Sequence, residues 1–261
     1  MPVSTALERR KTAARRIREL LREKEEARGL LIAFEGPDGS GKTTQRKLFK
    51  GWLASEGVPV VSAKWNSSLL IKPLVKARKL AHALSPNEFS LIHASDYRYR
   101  LETEILPALW EGKTVVADRH FFTALARDAA RGMDIHWLLN MYAPLFWPDI
   151  VFYFAVSPET SGKRIAADRD PTYYEAGQDI TEIDDPLESY TQFIGRVIKE
   201  YEALALIFQF ITVDAEQSIY QQHKQIRELY RQGRRRPWAE RNREALLDWL
   251  SQNPRFLEMK K

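Results

Sequence analysis

The stretch FEGPDGSGKTTQ, residues 34–45, constrains this chain more than any other part of its sequence. It fits the pattern G-x-x-x-x-G-K-[ST], with Gly36, Gly41, Lys42 and Thr43 at the fixed positions. The apolar run GLLIAFE precedes it, and apolar residues at helical spacing follow it. The sequence therefore predicts a buried strand, a glycine-rich loop and a helix, in this order.

A loop of this kind binds phosphate. The first N–H groups of a helix lack intrahelical partners and lie at the positive end of its dipole, and glycines let the main chain approach closely. We expect Lys42 to reach the β- and γ-phosphates of ATP, and Thr43 to ligate Mg²⁺. The residues predicted to contact the nucleotide phosphates are Gly36, Asp38, Gly39, Ser40, Gly41, Lys42, Thr43 and Thr44.

Further strands are predicted by apolar runs that are rich in β-branched and aromatic residues and lack a polar alternation. They cover residues 58–63, 114–119, 149–156 and 208–214, and helical stretches separate them. This pattern predicts an α/β fold with a doubly wound, five-stranded parallel sheet, flanking helices and a ligand site at the carboxyl ends of the strands.

Composition narrows the class of protein. The 261 residues include no cysteine, which excludes disulfides and thiolate chemistry, and no long apolar run predicts a membrane span. The net charge is +4 over residues 1–28, −4 over 29–230 and +5 over 231–261. We therefore expect a basic amphipathic N-terminal helix, a phosphate-binding domain, and a basic hinge with a C-terminal helix. The expected location is cytoplasmic, without membrane or nucleic-acid partners.

The run VVADRH, residues 115–120, ends a predicted strand with an acid and a base. Beside a phosphate loop, Asp118 is a natural partner for phosphate-bound Mg²⁺. Arg119 follows at the mouth of the strand, where a guanidinium can bind a phosphate through two hydrogen bonds. We assign the first to the metal and the second to an acceptor phosphate.

These segments together resemble the thymidylate kinase family of nucleoside monophosphate kinases. The resemblance includes FEGPDGSGKTTQ, LIHASDYRYRLETEILPALWEGKTVVADRH, RIAADRDPTYYE and FIGRVIKEYEAL, and it covers about residues 29–230. It implies a P-loop kinase fold with a small lid over about residues 160–182, a homodimer, and the transfer of phosphate from ATP to a nucleoside monophosphate.

The resemblance also implies roles for single residues. Asp38 corresponds to an acid near the acceptor sugar and phosphate, and Arg119 to the residue that contacts the acceptor phosphate. Gly39 stands where some members have a basic residue, so a lid arginine is expected to supply that charge. The candidates are Arg164 and Arg169, with Lys163 as a third, and the two arginines are assigned to catalysis with Lys42, Asp38 and Arg119.

The chain departs from the family where the base is read. His93 and Tyr97 replace a stacking aromatic and an arginine, whereas Asp96 matches; with Arg100 they are predicted to form a wall beside the base. The other substrate residues we predict are Asp38, Trp65, Arg119 and Thr123, with Trp65 either stacking on the base or roofing the pocket.

Two more departures from the family bear on the site. After Thr123 and Ala126, which match the family, Arg127 and Asp128 replace a tyrosine and a glutamine. The lysines at 72, 76 and 79 share a predicted helix face, which we interpret as solvated.

The leading function is ATP- and Mg²⁺-dependent phosphorylation of dTMP. The alternatives are another monophosphate or phosphate acceptor, or a nucleotide-binding switch.

Overall fold

A computed structural model describes residues 29–143 and 145–232 of this protein. The predicted helix over 1–28 lies outside these ranges, as does the predicted hinge and helix from residue 233 onward. Within the described ranges, none of the helices combines the length and the apolar character that crossing a bilayer requires.

The described chain is built around one parallel sheet of five strands. The strands are β1 (Leu31–Glu35), β2 (Val60–Lys64), β3 (Thr114–Asp118), β4 (Ile150–Ala155) and β5 (Ile211–Asp214). Their order across the sheet is β2-β3-β1-β4-β5, which places β1 at the centre. The predicted five-stranded parallel sheet is confirmed.

Helices make the crossover connections that parallel strands require. In chain order they are α1 (Lys42–Ser55), α2 (Lys72–Leu80), α3 (Pro86–Arg100), α4 (Leu106–Trp110), α5 (Phe121–Ala129), α6 (Ile135–Tyr142), α7 (Pro158–Ala166), α8 (Tyr173–Ala176), α9 (Gln178–Thr181), α10 (Pro186–Phe208) and α11 (Ile219–Arg231). A π-helical turn, Leu101–Ile105, joins α3 to α4.

Both faces of the sheet are covered, and β1 shows this directly. Leu31 and Ala33 pack into the core on one face, whereas Ile32 and Phe34 pack into a second core on the other. Each of these four side chains is fully buried. A strand that is buried on both faces needs no polar alternation, which explains the continuous apolar runs in the sequence.

The fifth strand begins later than the sequence predicts. The aromatic run from residue 208 is divided, because Phe208 ends α10 and packs with its ring 4.9 Å from the ring of Trp147. Gln209 then takes a left-handed conformation with φ 53°, and Phe210 turns into the core before β5 starts. Helix packing therefore removes three residues from the predicted strand.

Candidate active site

The phosphate loop leaves the central strand and enters α1 at the carboxyl edge of the sheet. Its three glycines have positive φ angles: 142° at Gly36, 71° at Gly39 and 77° at Gly41. A Cβ atom at Gly39 would lie 2.6 Å from the carbonyl oxygen of Ser161. Only glycine lets the loop pass this close to α7, and the resulting path leaves the N-terminus of α1 open to a phosphate.

Lys42 lies at the start of α1 and is buried against its own loop. Its Nζ donates to the carbonyl oxygen of Pro37 at 2.9 Å and lies 3.8 Å from Oδ1 of Asp38. Burial, assisted by the charge of Arg119, lowers the pKa of Lys42 to about 8. The ammonium group is thus still mostly protonated at neutral pH. Thr43 is exposed on the same turn.

Asp38 joins the phosphate loop to two arginines. Its Oδ1 accepts a short hydrogen bond from Nη2 of Arg119, and its Oδ2 accepts one from Nη1 of Arg127 at 2.8 Å. Burial opposes ionisation here, but the charges of Arg119, Arg127 and Lys42 hold the pKa of Asp38 well below its usual range. One carboxylate therefore meets three cations, and the cluster keeps a positive charge that favours a phosphate ligand.

A second buried carboxylate fixes the position of Arg119. Oε1 of Glu35 accepts from the backbone N–H of His120 at 2.6 Å, and Oε2 accepts from Thr123 Oγ1 at 2.6 Å and from the Tyr201 hydroxyl at 3.0 Å. Arg119 itself has φ 69°, a strained value for a residue with a side chain. The Glu35 network thus supports a strained turn at the residue we assign to the acceptor phosphate.

Asp118, the predicted metal residue, ends β3 beside the start of the phosphate loop. It is in register with Phe34 of β1, and its Oδ2 lies 3.3 Å from Nε of Arg46 on α1. Among the described residues, no group of three or more His, Cys, Asp or Glu side chains could hold a metal ion. Any metal held by Asp118 and Thr43 would therefore take most of its ligands from phosphate and water.

A cavity of about 200 Å³ opens beside Asp38. One end is charged, and Arg119 and Arg127 line it together with Thr123. The other end is aromatic and contains Trp65 among its lining residues. A ligand with a phosphate at one end and a planar ring at the other would match this division of charge and apolar surface.

The aromatic end is a stack of rings. The rings of Trp65 and His93 are nearly parallel, at 8°, with centroids 6.1 Å apart, and the ring of Phe89 lies 4.2 Å from that of His93. Nδ1 of His93 is 2.8 Å from the carbonyl oxygen of Phe89. Burial and the nearby charge of Lys79 lower the pKa of His93 to about 3, so this imidazole is neutral.

Three residues that the sequence predicts to contact substrate lie behind these stacked rings and do not line the cavity, namely Asp96, Tyr97 and Arg100. Asp96 accepts from the backbone N–H groups of Asn66 and Ser68, at 3.0 and 2.9 Å, and from Nε of Arg100 at 2.8 Å. Tyr97 and Arg100 are fully buried. Helical spacing predicted a shared face correctly, but the face packs on the loop after β2. We therefore revise their role from contacting substrate to supporting Trp65.

The predicted lid folds into short helices that close one side of the cavity. Tyr174 is buried, its hydroxyl accepts from the backbone N–H of Leu84 at 2.8 Å, and it lines the cavity with Glu175. Arg164 donates to the carbonyl oxygens of Gly39 and Ala215, at 3.2 and 3.0 Å.

The second lid arginine is also engaged elsewhere. Arg169 donates to both carboxylate oxygens of Glu175, at 2.8 and 2.9 Å. Neither Arg164 nor Arg169 lines the cavity. The second cation that the structure places on Asp38, beside Arg119, is Arg127 on α5. Its only sign in the sequence is an arginine where the family has a tyrosine.

Lys79 corrects another prediction. Lys72 and Lys76 are exposed, as a solvated helix face requires, but Lys79 at the end of α2 is half-buried and lines the cavity. The three positions share a sequence periodicity, but Lys79 differs from the other two because its Nζ lies 4.8 Å from the centre of the Phe89 ring on α3. No sequence signal distinguishes Lys79 from the other two.

Comparisons of the sequence with those of known proteins identify the family. The sequence profile of the thymidylate kinase family matches residues 34–226. The chain is 41% identical over 196 residues to the probable thymidylate kinase 2 of Saccharolobus solfataricus, covering 74% of this chain and 91% of that protein. It is 31% identical over 209 residues to the probable thymidylate kinase of Thermococcus gammatolerans, covering 76% of this chain and 94% of that protein. This protein belongs to the thymidylate kinase family.

Proposed function

We propose that this protein transfers the γ-phosphate of ATP to dTMP, giving ADP and dTDP. The observation that carries the proposal is the position of Asp38, which is part of the phosphate loop and also holds Arg119 and Arg127 at the charged end of the cavity. A single carboxylate thus aligns a donor-phosphate loop with an acceptor site. This alignment is what phosphoryl transfer requires of a protein.

In the reaction, an oxygen of the acceptor phosphate forms a bond to the γ-phosphorus, and the bond from that phosphorus to the β–γ bridging oxygen breaks. The acceptor is a phosphate monoester that is largely ionised near neutral pH, so no general base is needed. Lys42, Arg119 and Arg127 supply fixed positive charge where the two anions approach each other. Charges held in place before the reaction stabilise the transition state without reorganisation.

We propose Mg²⁺ as the accompanying ion. The Thr43 hydroxyl and the Asp118 carboxylate would hold it, because both are hard oxygen ligands near the N-terminus of α1. When bound, the ion neutralises charge on the β- and γ-phosphates of the donor. Asp118 lies beside Arg46, with 3.3 Å between Oδ2 and Nε, so a cation from α1 is also close to the proposed ion site.

The lid region would exclude water from this reaction. Tyr174 and Glu175 already cover one side of the cavity, and exclusion of water limits hydrolysis of ATP. We propose that Arg169 exchanges Glu175 for a phosphate oxygen when both nucleotides are present. Arg164, held by the loop that carries Gly39, supports the donor side. We also propose that the protein forms a homodimer, as the family resemblance implies.

An assay of ADP release tests the function. Purified full-length protein is mixed with ATP, Mg²⁺ and one of dTMP, dUMP, dCMP, dGMP, dAMP, UMP or buffer, and ADP is measured with a coupled enzyme system. We expect dTMP to give the highest kcat/KM. Release that is no faster with dTMP than with buffer would contradict the proposed function, and light scattering of the same sample tests the dimer.

A further inference from the structure

The aromatic end of the cavity contains two charged side chains that phosphoryl transfer does not use. Asp128 lies in the last turn of α5 next to Arg127, and Lys79 lies in the last turn of α2 with its Nζ over the Phe89 ring. Both line the cavity. A charged group costs free energy when it is taken out of water, so two of them beside stacked rings call for a polar ligand.

Asp128 is a buried hydrogen-bond acceptor with spare capacity. It is 1% exposed, and its Oδ2 lies 2.7 Å from the hydroxyl of Ser90 on α3. Its Oδ1 has no hydrogen-bond partner among the described residues. Burial raises the pKa of this carboxyl to about 6, so it is ionised at the pH of a kinase assay. One oxygen is therefore held in place and the other is able to accept one N–H.

Lys79 is a donor in the same place. Its Nζ lies 4.8 Å from the centre of the Phe89 ring, and no described carboxylate lies within 4.0 Å of it. Burial and the charges of Arg127 and Arg131 lower the pKa of Lys79 to about 8, so it remains mostly protonated at neutral pH. Asp128 and Lys79 are close enough to influence each other electrostatically. The pair offers one acceptor and a set of donors beside the rings.

We propose that Asp128 and Lys79 read the base of the acceptor nucleotide, with Asp128 accepting from the ring N3–H and Lys79 donating to a neighbouring carbonyl oxygen. This inference rests on the proposed function and names two specificity-determining residues for it. Thymine and uracil have an N–H between two carbonyl groups, which is the pattern that this pair complements. Cytosine has a bare nitrogen at N3 and an amino group in place of the C4 carbonyl, so in the same orientation Asp128 would face a lone pair instead of an N–H.

The experiment measures kcat/KM for dTMP, dUMP and dCMP, and KM for ATP, in full-length variants. Asp128→Asn can turn its amide nitrogen toward N3, so we expect kcat/KM for dTMP to fall about thirtyfold and the dCMP-to-dTMP ratio to rise at least about tenfold. Lys79→Gln removes the charge and should lower kcat/KM for dTMP about tenfold while raising the same ratio. Both effects should appear in the KM of the acceptor and leave the KM for ATP unchanged.

Lys76→Gln is the matched control, because Lys76 is exposed three residues earlier on the same helix and should keep wild-type values for all substrates. If circular dichroism shows that Asp128→Asn is unfolded, the kinetics of Lys79→Gln alone test the base-reading role. We expect that variant to fold, because the Lys79 side chain is only half-buried and lies near the end of a helix. Variants that slow all three acceptors by one factor would overturn the base-reading role while leaving the proposed function in place. A wild-type protein inactive with both dTMP and dUMP would overturn both.

Discussion

The two ends of the cavity are held by different forces. At the phosphate end, Asp38 organises Arg119, Arg127 and Lys42 through ion pairs, and the glycine-rich loop lies beside them. At the base end, neutral stacked rings set the shape, and the side chains behind them support the stack. Charge is effective where a highly charged group must be neutralised, whereas ring packing suits a flat and mostly neutral ligand. Substitutions at the two ends should therefore affect different kinetic constants.

The largest effect is expected from Lys42→Met at the phosphate end. The variant removes a buried positive charge beside the donor loop, and we expect kcat to fall by about a thousandfold. The measurement is the steady-state rate of ADP release at saturating ATP and dTMP. Lys47→Met, on the exposed side of α1, is the control and should keep full activity. A kcat for Lys42→Met within about threefold of wild type would contradict the role of the loop.

Arg119→Ala should separate the acceptor from the donor. We expect kcat/KM for dTMP to fall about a hundredfold or more, because the remaining guanidinium of Arg127 cannot replace a two-bond contact alone. KM for ATP should change little. Arg196→Ala, an exposed arginine on α10, serves as the control. If KM for ATP rose as much as KM for dTMP, Arg119 would belong to the donor site.

The Glu35→Gln variant tests how Glu35, at the end of β1, is bound to the residues that follow β3. Burial raises the pKa of Glu35 to about 7, so the folded protein binds this proton at a higher pH than the unfolded chain does. The stability from the protonated carboxyl is present below the unfolded pKa of about 4.5 and is lost as pH rises to about 7, a change of about 3 kcal/mol. Because glutamine does not titrate, the Glu35→Gln variant should not lose this stability as the pH rises.

Urea unfolding at several pH values between these limits measures the effect as the slope of the unfolding free energy against pH. The exposed Glu202→Gln should keep the wild-type slope. Asp128, whose pKa burial also raises, adds a smaller slope of the same sign in both proteins. Equal slopes for wild type and Glu35→Gln would mean that Glu35 is already ionised in the folded protein throughout this range.

The smallest effect is expected at the base end. Trp65→Leu removes one ring of the stack, and we expect KM for dTMP to rise about tenfold, the value of one base–aromatic contact. KM for ATP and the maximal rate should stay near wild type. Trp137→Leu, a half-buried tryptophan on α6 away from the cavity, is the control. An unchanged KM for dTMP would mean that Trp65 only roofs the pocket.

Much of the fold and half of the candidate site were predictable. The phosphate loop is a contiguous run whose glycines, lysine and flanking elements are all visible in sequence, and the pair Asp118–Arg119 ends a strand that the apolar pattern marks. The partners of Asp38 were only partly predictable. The sequence assigns Arg119 to the same site, but Arg127 is 89 residues away from Asp38 and stands out only as a departure from the family.

The base end shows the limit of helical periodicity. The spacing of His93, Tyr97 and Arg100 predicts one shared face, and the structure does bury all three. Only His93 reaches the cavity, because the loop after β2 packs over the rest of that face and Asp96 holds the loop there. Periodicity gives the direction of a side chain from its helix but not what packs in front of it.

The sequence by itself determined the strand–loop–helix unit that can bind phosphate, the parallel sheet and the acid–base pair at the end of β3. These features depend on neighbours in the chain, through backbone conformation, apolar patterning and helix dipoles. Only the tertiary structure decided that Arg127 joins Arg119 on Asp38. It also decided that Lys79, unlike Lys72 and Lys76, is half-buried at the cavity. Finally, it placed Tyr97 and Arg100 behind the stacked rings and away from the cavity. Those outcomes depend on how separate helices pack around one cavity, and packing brings together residues that no local pattern relates.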